Sequence, residues 1–185
     1  MRNKFLFLFL FVLFFSSCSQ KTPVYPEPDY SYQKNGIKIR YTSSEKLNFF
    51  NSKPHTLILA VYQLSNKSVF KEITKTNHGI QKILNIENFS ESNSLKIEGA
   101  EKFDYFVISP GEEKIISMDR SENTRWIAVA AGFYNLDPDK VLKIYEIPVS
   151  KNEHGLFFKK FSSKAKNLFI NINLSKFRIT KLETM

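Results

Sequence analysis

The stretch "IKIRYT", residues 37–42, places Ile37, Ile39 and Tyr41 on one side of an extended chain and Lys38 and Arg40 on the other. A period of two belongs to a strand with one face buried, because successive side chains point to opposite faces. The pattern recurs. "LFINI" (168–172) alternates through Leu168, Ile170 and Ile172, and "VLKIYEI" (141–147) reads as another strand. "TLILAVYQL" (56–64) and "RWIAVAAGFY" (125–134) are continuously apolar, as in central strands covered on both faces. "FDYFVIS" and "EKIISMD" flank Pro110-Gly111, which predicts a pair of strands across a tight reversal. "FRITKL" is a further strand, or a continuation of the one before it past a bend. The total is about seven or eight strands. Helical spacing is confined to "GIQKILNIENF", where Ile80, Ile83, Leu84 and Glu87 fall on one side, predicting a short helical insertion that caps one end of the sheets. Sequential short strands with little helix predict an all-β, two-sheet antiparallel sandwich.

The amino terminus obeys other rules. Arg2 and Lys4 precede eleven apolar residues, Phe5 to Phe15, and the small pair Ser16-Ser17. This is the charged, apolar, small-residue order of an export signal. As a helix eleven residues span roughly 17 Å against about 30 Å of hydrocarbon, too little for a membrane-spanning segment. Phe15-Ser16-Ser17-Cys18 contains the only cysteine and resembles a bacterial lipobox. A lone thiol makes no intramolecular disulfide and no structural zinc site. The resemblance implies removal of residues 1–17, a diacylglycerol thioether on Cys18 and acylation of its new amino group. Two or three such chains anchor a protein stably, since each buried CH2 contributes about 0.8 kcal/mol. Ser19 in place of aspartate implies delivery to the outer membrane by the same resemblance.

Residues 18–36 follow, with Pro23, Pro26 and Pro28 and few aliphatic side chains, and read as an extended tether that reaches at most roughly 60 Å. Residues 37–185 form the sandwich domain. Without the leader the chain carries a net charge of +7, densest in "KNEHGLFFKKFSSKAK" (151–166). That stretch suits anionic headgroups or an acidic partner, or is simply solvated lysine. Export argues against nucleic acid as a partner.

Motifs for chemistry are sparse. His55, His78 and His154 stand far apart, with no HxH or HxxxH pair to hold a metal. "NLDPDK" (135–140) begins like a calcium loop, but Lys140 occupies the position that loop reserves for glycine, so it reads as an Asp-Pro turn. No G-x-S-x-G elbow and no glycine-rich phosphate loop occur, and nothing pairs Asp104, Asp119 or Glu122. The residues describe a binding module rather than an enzyme, with no cofactor beyond the covalent lipid.

In order along the chain come "LN" (47–48), "VYQLSNKSVF" (61–70), "ISPGEEKIISM" (108–118), "WIAVAAGFYN" (126–135) and "KVLKIYEIP" (140–148). Their succession, together with the lipobox, resembles the TssJ family, outer-membrane lipoproteins of the bacterial type VI secretion system. The resemblance implies a transthyretin-like sandwich held at the periplasmic face of the outer membrane. It implies as partner the periplasmic carboxy-terminal region of TssM, in a trans-envelope complex with TssL. It also implies that the loop between the first two strands takes part in that contact. Two positions depart from the family: Tyr134 stands where an arginine is usual and Leu142 where a tryptophan is common.

That loop, residues 43–55, has its own reading. Leu47, Phe49 and Phe50 lie among polar turn residues with no strand period to claim them, beside Asn48 and with Lys46 and Lys53 as rim charges. Exposed aromatics rimmed by polar groups make interface anchors; alternatively the rings fold back as lids on the core. Trp126 is assigned to the core. A second functional reading is a lipoprotein that binds a small ligand or a cell-wall sugar, which an aromatic-lined concavity favours.

Overall fold

The alternation at residues 37–42 becomes the middle of β1 (Gln33–Ser43), in which Ile37 and Ile39 are fully buried and Lys38 and Arg40 exposed. The computed structural model describes residues 23–84, 97–155 and 159–182. Further strands are β2 (Leu57–Leu64), β3 (Ala100–Ile108), β4 (Glu113–Arg120), β5 (Trp126–Ala131) and β6 (Leu142–Glu146). Then come β7 (Val149–His154), β8 (Lys160–Ala165), β9 (Leu168–Leu174) and β10 (Ile179–Leu182). Two four-stranded sheets, ordered β10-β9-β1-β4 and β3-β2-β5-β6, face each other, and β7-β8 is a separate two-stranded ribbon. All pairings are antiparallel except β1 with β9, which run parallel from Ile37↔Leu168 to Ser43↔Leu174.

The expected sandwich is therefore present, with differences that have physical causes. Ten strands occur among the described residues, because β7 and β8 have no apolar face and so carried no period-two signal. "FRITKL" supplies a separate strand, β10, which turns back onto β9. The Pro110-Gly111 reversal exists, but β3 and β4 lie in different sheets, so it is a crossover between layers and not a hairpin. Gly111 at φ +72° after Pro110 supplies the left-handed position that such a turn needs at its third residue. Ser43 ties it to β1: its hydroxyl donates to Ser109 O at 2.6 Å and accepts from Glu112 N–H at 2.7 Å.

Between the sheets lie Ile39 and Tyr41 of β1, Ile170 and Ile172 of β9, Leu59 of β2 and Ile127 of β5, all at most 2% exposed. Each such aliphatic side chain contributes roughly 1.5–3 kcal/mol on burial. β2 is covered on both faces, as its composition required. Gln63 points from it to the other sheet, while Tyr62 points outward beneath two helices, α1 (Ser68–Ile73) and α2 (Asn77–Leu84). The helical segment thus packs on the outer face of the second sheet rather than at its end. The hydroxyls of Tyr62 (2.7 Å) and Tyr105 (3.1 Å) both donate to the carbonyl of Ile83 near the end of α2. Glu87 lies outside the described residues. A third, one-turn helix, α3 (Pro138–Val141), is what "NLDPDK" encodes: Asp137 caps it, its carboxylate accepting from Asp139 N–H. Trp126 is only half-buried, with Lys67 Nζ 4.8 Å from its ring centroid.

The segment expected as tether is held against the domain from Tyr25 onward. Asp29 pairs with β8, donating its N–H to Ser163 O and accepting from Ala165 N–H, both at 3.0 Å. Tyr25 packs edge-on against Phe161, with ring centroids 5.1 Å apart. The guanidinium of Arg120, 1% exposed, donates to Ser31 O at 3.0 Å and Lys166 O at 2.9 Å. Prolines predict extended backbone, and extended backbone can also complete a sheet edge, which local composition does not distinguish.

Candidate docking surface

β1 and β9 run the same way, so both deliver their carboxyl-terminal loops to one end of the sandwich. The β1–β2 connection (44–56), the β9–β10 turn (175–178) and the segment after β5 (132–137) meet there. Phe50 and Lys53 exchange two backbone hydrogen bonds of 2.9 and 3.0 Å around Asn51 and Ser52, at φ +47° and +61°. Two successive left-handed residues make a type I′ turn, a conformation asparagine tolerates better than most. The loop tip is therefore a miniature hairpin.

Leu47 is fully buried. It belongs to the core and roots the loop, so it is not among the exposed contacts expected from its polar neighbours. Asn48, at φ +45°, is a clip: Nδ2 donates to Thr56 O at 3.2 Å, and Oδ1 accepts the N–H of Tyr134 at 2.7 Å. Phe50 stacks on Tyr134 with centroids 3.6 Å apart and planes 18° from parallel. Phe49 donates its N–H to Lys176 O at 3.3 Å, and Lys176 Nζ lies 4.3 Å from the centroid of its ring. Both rings are half-buried, while Tyr134 is 69% and Phe177 51% exposed. Lys53 is exposed at the turn.

Phe49, Tyr134 and Phe177 border a concavity of about 530 Å³ that is also lined by Phe133, Asn135, Lys140, Ser175 and Arg178. Its wall is aromatic and its rim cationic. Tyr134 and Phe177 were not singled out by the sequence as contact residues. An aromatic at the end of an apolar strand and another inside the short turn "SKFR" are the signals that could have found them. His55 is exposed beside the loop, with Nδ1 3.3 Å from Asn48 O, and the three histidines do not converge. Among the described residues no group of three His, Cys, Asp or Glu side chains could hold a metal, and no helix is long and apolar enough to cross a membrane.

Residues 35–172 match the sequence profile of a family described as "Type VI secretion lipoprotein, VasD, EvfM, TssJ". The chain belongs to this family. The match covers most of the sandwich, and membership makes the protein a type VI secretion lipoprotein, a structural component by family. No curated protein matches the sequence. Among solved structures, TssJ1 from Pseudomonas aeruginosa aligns with a TM-score of 0.55 at 17% identity, over 85% of this chain and all of that one. Lip from Serratia marcescens, a membrane-bound component of the type VI secretion system, aligns at 0.55 and 14% identity, over 84% and 99%. A chain in a structure described as the TssM C-terminal domain from EAEC aligns at 0.53 and 13% identity, over 80% and 98%. At such identities the likeness establishes the TssJ-type fold; what the aromatic end does has to come from its own chemistry.

Proposed function

We propose that the protein is anchored in the outer membrane by acyl chains on Cys18 and docks the periplasmic carboxy-terminal region of TssM with its aromatic end, helping to build the trans-envelope complex with TssL. Residues 1–17 are the leader, and six residues, 19–24, separate Cys18 from Tyr25. Six residues reach at most about 20 Å. The sandwich then sits close to the bilayer, not at the roughly 60 Å suggested by the prolines.

The observation that carries this reading is the aromatic cluster in which half-buried Phe49 and Phe50 adjoin exposed Tyr134 and Phe177, with the cations Lys53, Lys140 and Arg178 at the same end. Binding energy concentrates in aromatic anchors that become desolvated, and rim cations speed encounter with an acidic partner. A TssM structure that contains a chain of this fold supports the choice of partner. β1 is paired on both sides, with β4 and β9, and joins the docked segment 25–32, the strap, at one end to the loop at the other, so tension along it is shared by two hydrogen-bond ladders.

The test is copurification of tagged full-length protein with TssM from envelopes, comparing wild type with Phe50→Asp/Tyr134→Asp. The expected result is loss of TssM at unchanged protein level; undiminished recovery refutes the docking site. Labelling with radioactive palmitate tests Cys18 separately, and an unlabelled wild type refutes the anchor. The aromatic-lined concavity also favours the second reading, binding of a small ligand or a cell-wall sugar. That reading requires the same double variant to retain TssM while losing protection by muropeptides against thermal unfolding.

A further inference from the structure

The β7–β8 ribbon is amphiphilic in charge rather than in hydropathy. Its register pairs Ser150, Asn152 and His154 with Lys164, Ser162 and Lys160, and paired residues of an antiparallel ladder share a face. That face holds two lysines, two hydroxyls, an amide and an imidazole, and no carboxylate. The other face holds Val149, Lys151 and Glu153 with Phe161, Ser163 and Ala165; Ser163 and Ala165 are buried against the domain, and Lys151 Nζ lies 5.3 Å from the Tyr25 ring centroid. Lys166 extends the basic character past the end of β8, exposed like Lys160 and Lys164. Nearby acids are spoken for: Glu153, on the opposite face, pairs with Lys159, and Asp29 at the ribbon edge accepts from Ser31 N–H and Oγ.

Position adds to chemistry. The strap joins the ribbon through Asp29 and Tyr25, and Tyr25 is seven residues from Cys18, at most about 25 Å of chain. The aromatic end lies at the opposite end of β1, whose 11 residues span roughly 35 Å. The ribbon is thus the part of the fold nearest the anchor, and it carries the sign of charge that an anionic leaflet attracts. We propose that the face formed by Ser150, Asn152, His154, Lys160, Ser162 and Lys164 lies on anionic phospholipid headgroups. It sets the sandwich upright, so that the aromatic end points away from the membrane. This rests on the reading of Cys18 as the lipid-bearing residue. Each lysine held at such a surface contributes roughly five-fold in binding, and the attraction falls off within a Debye length of about 8 Å at physiological salt.

The experiment is lysine footprinting of the mature acylated chain in vesicles, reading acetylation of each lysine by mass spectrometry. In vesicles containing phosphatidylglycerol, Lys160, Lys164 and Lys166 react about five-fold or more slowly than in pure phosphatidylcholine, while Lys46 and Lys53 react alike in both. Raising salt to 1 M removes the protection, and Lys160→Glu/Lys164→Glu removes it at Lys166. Equal rates in the two kinds of vesicle overturn the proposal and leave the face to an acidic segment of a protein. Intact mass reports the lipid on Cys18 independently. If it is absent, the anchor reading falls alone, and the footprint is taken on the unacylated chain with vesicles added, where the same contrast between lipids decides.

Discussion

Asn48 is the residue on which the geometry of the aromatic end turns, and replacing it separates backbone strain from hydrogen bonding. Asn48→Ala removes the bonds to Thr56 O and from Tyr134 N–H, about 1 kcal/mol each at a partly exposed site. It also leaves a Cβ-bearing residue without local compensation at φ +45°, which costs about a further 1–2 kcal/mol. Asn48→Gly loses the same two bonds and escapes the steric cost, but gives the unfolded chain freedom that costs about 0.4–1 kcal/mol. Alanine should therefore destabilise by about 3–4 kcal/mol and glycine by about 2–3 kcal/mol. At an ordinary loop position the order is reversed, and that makes the comparison decisive. Equilibrium urea unfolding of the mature chain, with the slope checked for constancy, measures both. Alanine as stable as glycine refutes the left-handed clip; both within about 0.5 kcal/mol of wild type refute the bonds as well. Because Asn48 holds the backbone of Tyr134, both variants should also weaken retention of TssM.

Two further outcomes follow from buried and paired polar groups. Gln63, fully buried, donates to Asp119 O at 2.8 Å and accepts from Ser121 N–H at 2.8 Å and Thr124 Oγ1 at 3.2 Å, stitching β2 to the end of β4. Gln63→Leu leaves all three unsatisfied and should cost about 3 kcal/mol, a fall in Tm of roughly 6–12 °C by calorimetry. Stability should also fall in acid. Hydrogen bonds from Tyr32 and from Asn35 N–H hold Asp119 below its ordinary 3.8. Bonds from Lys114 and Ser109 N–H hold Glu112 below its ordinary 4.5. A depressed carboxylate stabilises the fold above its unfolded value and ceases to do so as pH drops through its folded one. The urea midpoint should be flat from pH 7 to about 5 and decline below about pH 4, less steeply in Asp119→Asn.

Strands whose environment is uniform along one face were legible. β1 and β9 alternate because one face meets the core, and β2 is apolar throughout because helices cover its outer side. β7 and β8 were not legible, since a ribbon that buries little has no reason to alternate in hydropathy. Leu47 looked exposed among its polar neighbours and is fully buried, because the core it fills is built by residues far along the chain. Phe49 and Phe50 drew attention to the loop at residues 43–55, and both rings lie at the aromatic end. Tyr134, hydrogen-bonded to Asn48 across 86 residues, was not singled out, because sequence spacing carries no trace of a contact between separate loops.

What this sequence determined alone was local: the alternating strands and the turn at Pro110-Gly111. Each follows from backbone sterics or side-chain periodicity acting over a few residues. Only the tertiary structure decided that β1 pairs in parallel with β9, that Pro110-Gly111 crosses between sheets, and that the strap is docked. It also decided that four aromatic rings gather at one end while lysines gather at the other. Those outcomes depend on which distant surfaces exclude water together, a property of the whole folded chain that no short segment holds.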